Sequence, residues 1–290
     1  MSTPVELNAK DVHVFRSDDD PVPRDRWGRP LVVPPDGGPP VAYTRCTTFV
    51  GVLEDTYQLS LWQQRMVAIG MAERPDLQMA AYALRDAQRS GDKQGKRELN
   101  KICSKAIEVA GGSVAANTGT ALHSLSEKVD RGEDLGPVPE VFKADLRAYW
   151  SATRELEVVA VEDFVVVDDL RVGGSFDRLV KYRGRHYIAD IKTGGIDFGI
   201  GKIAMQLSMY SRGVRYDHTT QERSPLPEDV SQERGIVIHL PAGQQRCTLH
   251  WVDLAAAWDA IGLAAQVREW RARKGLSVPF GEGEGAFDDH

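Results

Sequence analysis

The sequence predicts an α/β domain, and three observations carry the prediction. Apolar residues recur at three- and four-residue spacings as far as about residue 153, the period of helices packed along one face. The period then changes: ELEVVAVEDFVVVDD, RVGGSFDRLVKY and RHYIADIKTG are short, rich in Val, Ile, Phe and Tyr, and punctuated by Asp-Asp and Arg-Gly turns, as strands are. A helix at about 202–215, strands at GIVIHL and RCTLHWVDL, and a closing helix from Leu254 to about Arg273 complete the order. A central mixed sheet flanked by helices, with an α-rich N-terminal half, is the expected architecture.

Residues 1–40, with PVPRDRWGRP and VVPPDGGPP, read as an irregular Pro/Gly-rich arm in which no helix fits. From Thr44 the pattern turns helical, with a start at Thr47/Thr48 and then Leu53, Leu59, Leu61, Trp62, Met66 and Ile69. Helix continues through SVAANTGTALHSLSEKVDRG to Gly132 and resumes at PEVFKADLRAYWSATREL behind a proline. Residues 41–275 are therefore read as one domain, helical over 41–112 with the core at 113–275. Residues 276–290 hold four acids and no base, and are expected to be a disordered tail.

The 290 residues are 42% hydrophobic and 27% charged with a net charge of −6, a globular profile. No apolar run approaches the ~18 residues that span a bilayer, and the acidic N-terminus lacks the pattern of a secretory signal. The expectation is a cytoplasmic protein with no membrane partner. Cys46, Cys103 and Cys247 are too scattered for a disulfide framework or a CxxC pair, and read as buried free thiols.

The chemistry concentrates in the strand pair holding Asp177 and Asp190-Ile191-Lys192. A tight turn at Arg183-Gly184 sets 177 opposite 190, so the two carboxylates face each other across about 5 Å. Lys192 points to the same face as Asp190. Two acids and a lysine converge, and hard oxygen ligands of this kind suit Mg²⁺ or Mn²⁺. A solvated Asp/Lys ladder would look the same if this hairpin stood alone. Upstream, His123 and Glu127 are one helical turn apart, and downstream so are Gln206 and Tyr210.

In order, GT-x-x-H-x-x-x-E, GG-x-x-D, D-x-K-T-G and Q-x-x-x-Y resemble the motif series of the RecB-like branch of the PD-(D/E)xK nuclease superfamily, over about residues 115–215. A looser likeness lies at YTRCTTFVGVLED and LSLWQQRMV. The branch includes CRISPR-associated and phage exonucleases. The resemblance implies a restriction-endonuclease-like core and a Mg²⁺- or Mn²⁺-dependent DNA exonuclease of phage-type recombination, repair or replication. It implies His123, Asp177, Asp190 and the carbonyl of Ile191 as metal ligands, Lys192 as the catalytic lysine, Gln206 and Tyr210 beside the scissile phosphate, and Glu127 in support. The four-cysteine iron–sulfur cluster of some members cannot be built from three scattered cysteines. No G-x-x-x-x-G-K-[ST] loop occurs either, so unwinding would fall to a partner helicase.

Between Arg178 and Arg215 eight Lys/Arg face only Asp190 and Asp197, a local charge of +6, which suggests a phosphate-binding rim that includes Arg178, Lys181, Lys202 and Arg212. A second basic run, +4, lies between Arg85 and Lys105. DNA is the expected partner, with a recombinase, annealing protein or helicase and an oligomeric state all compatible. The alternatives are a structure-selective endonuclease and an inactive DNA-binding scaffold with a nuclease fold.

Overall fold

The structure, a computed structural model, describes residues 22–277. Most of the predicted acidic tail and the first half of the predicted arm lie outside these residues. The elements are β1 (Leu31–Val32), β2 (Val41–Ala42), β3 (Thr44–Arg45), α1 (Cys46–Val50), α2 (Tyr57–Glu73), α3 (Pro75–Ala83), α4 (Ala87–Ser90), α5 (Lys93–Val109), α6 (Val114–Arg131), α7 (Glu140–Thr153), β4 (Glu157–Val167), β5 (Val172–Tyr182), β6 (Arg185–Lys192), α8 (Ile200–Ser211), β7 (Val214–Tyr216), β8 (Arg223–Ser224), β9 (Arg234–His239), β10 (Thr248–Asp253) and α9 (Leu254–Ala272).

One mixed sheet runs in the order β10-β9-β6-β5-β4-β7-β8, with β3 added to β5. The chain is an α/β protein whose sheet is flanked by helices. On one face α1, α8 and α9 bury Val50, Phe176, Leu179, Leu207 and Ile261. On the other α6 and α7 bury Leu122, Leu146, Val180, Ile191 and Ile238. A smaller cluster seats Tyr43 and Val32 against Phe164 and Tyr216, so the residues preceding β3 pack on the β4–β7 side.

Turn chemistry explains the β5–β6 register. Arg183 (φ 49°) and Gly184 (φ 82°) both adopt left-handed backbone, as a two-residue hairpin turn with the strands' own twist requires. Arg178 then pairs with Ala189 and Tyr182 with Arg185. Beyond Arg178 the strands part. The first residues of β5 pair instead with β3, Val172 with Thr44 and Gly173 with Arg45, in parallel. β6 meanwhile continues alongside β9, from Ala189 to Lys192. Asp177 and Asp190 sit at this fork.

The helical first half departs from its expected pattern. The stretch from Thr44 is no single helix: it opens with β3 and the five-residue α1 and passes through a 3₁₀ turn at Gly51–Leu53 before α2 starts at Tyr57. Leu53, Leu59 and Ile69 are exposed rather than core-facing. Backbone approach decides the contact instead. α2 meets α5 where a Cβ on Gly70 would lie 1.9 Å from the Ala106 carbonyl oxygen.

Candidate metal centre

Four elements deliver the site. α6 carries His123, Glu127 and Asp130 on the stripe that faces the sheet, at the three- and four-residue spacings of one helix face. β5 brings Asp177, and β6 brings Asp190 and Lys192. β4 brings Glu162.

His123 lies at the centre. Its Nε2 is 3.0 Å from Asp177 Oδ2, its Nδ1 is 3.0 Å from Glu127 Oε1, and its Nε2 is 4.0 Å from Glu162 Oε1. Glu127 is in turn held by Arg131 at 2.9 Å. Asp177 Oδ2 also accepts the backbone N–H of Ile191 at 2.8 Å. The resemblance implied the carbonyl of Ile191, whereas the contact seen with Asp177 is made by its amide. Asp190, almost wholly buried, has Lys192 Nζ 2.6 Å from its Oδ2.

His123, Glu162 and Asp177 each offer a ligand atom within 4.8 Å of the other two, a mixed nitrogen and carboxylate set. The donors fit a divalent cation, and Asp190 stands beside them with a paired cation already in reach. Glu162 was not legible as a site residue. It lies in a run of strand residues, and what turns it inward is local backbone: φ is +58°, rare for a non-glycine residue. At the same level the alternation of β5 slips. Phe176 and Leu179, three apart, share one core face while Val180 lies in the other. A regular strand would separate residues three apart onto opposite faces.

The motif glycines have a packing reason. A Cβ at Gly119 would meet Thr193 Oγ1 at 2.4 Å, so α6 can approach the end of β6 only without a side chain there. A Cβ at Gly174 would meet Tyr210 Oη at 2.9 Å and Cys46 Cβ at 3.2 Å. Gln206 donates to Tyr210 Oη at 3.2 Å, and Tyr210 in turn packs on Gly174 of β5. Tyr210 is buried.

Charges divide the site. Burial opposes a charged imidazole, yet the hydrogen bonds to Asp177 and Glu127 outweigh it and push His123 up to about 10. Burial would raise Asp177 too, but the His123 contact and its charge hold that carboxyl below its usual range. Glu162 is pushed up to about 7 by burial and then by the charges of Asp177 and Glu127. Asp190 is pushed up to about 7 by burial and then by Asp177. Without a cation, protons on His123 and, below about pH 7, on Glu162 and Asp190 offset the crowding of carboxylates.

The sign of the resulting pH dependence follows. Between about pH 4 and 7 the folded chain keeps protons on Glu162 and Asp190 that the unfolded chain has released, so their contribution to stability falls as pH rises. His123 extends the fall from about 6.5 to about 10. Asp177 acts oppositely, losing its contribution as pH drops through the acid range. Cation ligands must shed protons, so Mg²⁺ should raise the melting temperature more at pH 8 than at pH 5.5. Thermal melts with EDTA or Mg²⁺ at the two pH values check this, and a Glu162→Gln variant should show a flatter profile.

Several cations of the +6 stretch are engaged within the chain rather than left to form a rim at the fork. Arg178 is fully buried in an ion pair with Asp130, and donates to the Asp177 carbonyl, so it is withdrawn as a phosphate contact. Arg212 spends its guanidinium on Ser208, Ser211 and the Gln232 carbonyl and lies over Trp258, so it too is corrected to a structural role. Lys202 pairs with Glu54 at 2.7 Å and Arg215 with Asp163 at 2.9 Å. Counting charge along one stretch misses partners delivered from elsewhere in the chain. Lys181 is partly exposed near the far end of β5, about 13 Å along the strand from Asp177. In the other basic run, Lys101 and Lys105 pair with Glu98 and Glu108 on the surface of α5.

No family model matches the chain, and no curated protein is detectably similar to it in sequence. Among the described residues, no helix is long and apolar enough to cross a membrane.

Proposed function

We propose that the chain is a Mg²⁺-dependent DNA exonuclease with a PD-(D/E)xK-type core, hydrolysing phosphodiester bonds at the β5–β6 fork. The observation that carries this reading is the meeting of His123, Asp177 and Glu162 within ligand reach, with the Asp190–Lys192 pair close enough for its charges to act on Asp177. A surface Asp/Lys ladder would not recruit a histidine from a helix and a glutamate from a third strand.

His123, Asp177 and Glu162 would hold the cation, with Asp190 beside them. When bound, Mg²⁺ polarises the scissile phosphate and lowers the pKa of a water. The residues of the chain supply the rest. Lys192, paired with Asp190 in the structure, would be the ammonium available to balance charge on the phosphoryl oxygens and to orient water. Glu127, braced by Arg131, fixes the ring of His123 through Nδ1 and leaves Nε2 towards Asp177 and Glu162. A partner helicase, recombinase or annealing protein would supply or use the strands, and a cytoplasmic setting accords with the reading.

Lys192→Ala should slow cleavage by about 10²–10³-fold, the usual cost of one charge contact made in the transition state. Mn²⁺ affinity should hold or rise, because Asp190 loses the cation that competes for it. Single-turnover rates and calorimetry separate the two effects.

The activity itself is tested with end-labelled linear, nicked and closed-circular DNA and Mg²⁺. Products from linear DNA alone support the exonuclease. Products from closed circles would assign an endonuclease, and intact DNA in every lane would leave the scaffold reading.

A further inference from the structure

A second feature lies at the opposite end of the β5–β6 hairpin. There α7 and the turn after it, β5 and the edge strand β10 border an open cavity of about 310 Å³, lined by Arg154, Glu155, Leu156, Tyr182, Leu249 and Trp251 among others. Its size matches the lower end of small-ligand pockets. Trp251 is half exposed. Its ring stands edge-on to Tyr187 at 5.0 Å and 6.2 Å from Tyr182, so the indole is held from behind. An aromatic plane fixed by its neighbours loses little freedom when a flat ligand stacks on it.

The surroundings are basic. Arg183 lies over Tyr182, Arg185 is the cross-strand partner of Tyr182 and shares its face, and Arg154 lines the cavity; Lys181, the partner of Glu157, points to the other face. Among the described residues Arg154, Arg183 and Arg185 make no ion pair, unlike Arg178, Lys202 and Arg215 beyond them. Glu155, which also lines the cavity, is set against these three arginines, leaving an excess of positive charge.

We propose that this cavity is a stacking site for a base of single-stranded nucleic acid, whose phosphates run along Arg183 and Arg185. Held aromatic faces beside unpaired cations are the recurring means of gripping single strands without reading sequence. Tyr182 is five residues along β5 from Asp177, about 17 Å. The strand is thus gripped at a distance from the fork, and duplex, whose bases are already stacked, gains nothing from the indole. The proposal rests on reading the chain as one that acts on nucleic acid, but not on its cleaving it.

The test is fluorescence anisotropy of a labelled 20-mer of dT with metal-free protein in EDTA, where cleavage plays no part. Trp251→Ala should weaken binding on the order of 10-fold, while Trp251→Phe, which keeps a stacking face, retains most of it. Arg183→Ala/Arg185→Ala should lower the slope of log K against log salt by about 1.4, for two lost phosphate contacts on a single strand. Binding of a blunt 20-base-pair duplex should be unchanged by Trp251→Ala. Unaltered dT binding in Trp251→Ala with an unaltered melting temperature would overturn the site, and would leave a metal-dependent cleavage activity standing. A wild-type dimer in sedimentation that Trp251→Ala dissolves, again with dT binding unaltered, would overturn it too and give the β10 edge to a second copy of the chain.

Discussion

Asp177→Asn should abolish metal-dependent cleavage, with a loss of at least about 10²–10³-fold in rate, and should leave the protein folded. Asparagine keeps the shape of the side chain, and its carbonyl oxygen can still accept the Ile191 N–H that now ends on Oδ2. What disappears is the charge. Asp177, like Glu127, stays ionised against burial, held so by His123, and it bridges the histidine of α6 and the Ile191 N–H of β6. Glu162 and Asp190 hold their protons up to about 7, so at neutral pH neither fully replaces it. The melting temperature without cation should shift by only a few degrees, because His123 keeps Glu127 as a counter-ion. Retained cleavage in a folded Asp177→Asn protein would remove the fork from the mechanism.

Asp130→Ala should be the most damaging change to stability, about 3–5 kcal/mol, the cost of leaving one member of a buried ion pair alone. Asp130 is completely buried and accepts from Arg178 Nε and Tyr149 Oη, while Arg178 also reaches Ser126. The network ties α6 and α7 to β5 one residue from Asp177. Burial and the Asp130 carboxylate together push Tyr149 well above its normal range, so the phenol remains the donor at every working pH. Arg178→Met combined with Asp130→Leu should recover much of the lost stability, since it removes both buried charges together. Chemical denaturation of the three proteins measures the difference. Near wild-type stability in Asp130→Ala would mean that α6 is anchored by apolar packing alone.

The parts of this fold that could be read in advance are those governed by local rules. Arg183-Gly184 fixes a two-residue turn, and a two-residue turn fixes which residues face each other for the length of the hairpin. The strand triplet β4, β5 and β6 and the closing helix α9 announce themselves by period. The Gly-Thr, Gly-Gly and Lys-Thr-Gly motifs are contact points, as Gly119 on Thr193 and Gly174 on Tyr210 make plain. Glu162 was hidden because nothing in Val-Glu-Asp-Phe marks the left-handed residue that reaches the site. The β3–β5 pairing that opens the fork joins residues about 130 apart through two short strands, too brief to carry a pattern. Arg178 misled because a cation beside Asp177 looks exposed until Asp130, 48 positions earlier, is seen beneath it.

Calorimetric titration of Mn²⁺ into metal-free protein at pH 8, with Asp177→Asn and Glu162→Gln alongside, tests the metal centre most directly. Binding in the wild type that is abolished in Asp177→Asn, weakened in Glu162→Gln, and accompanied by proton release that varies with the buffer's ionisation heat is the predicted result. An absence of binding in the wild type, or binding of equal strength in all three proteins, would contradict it.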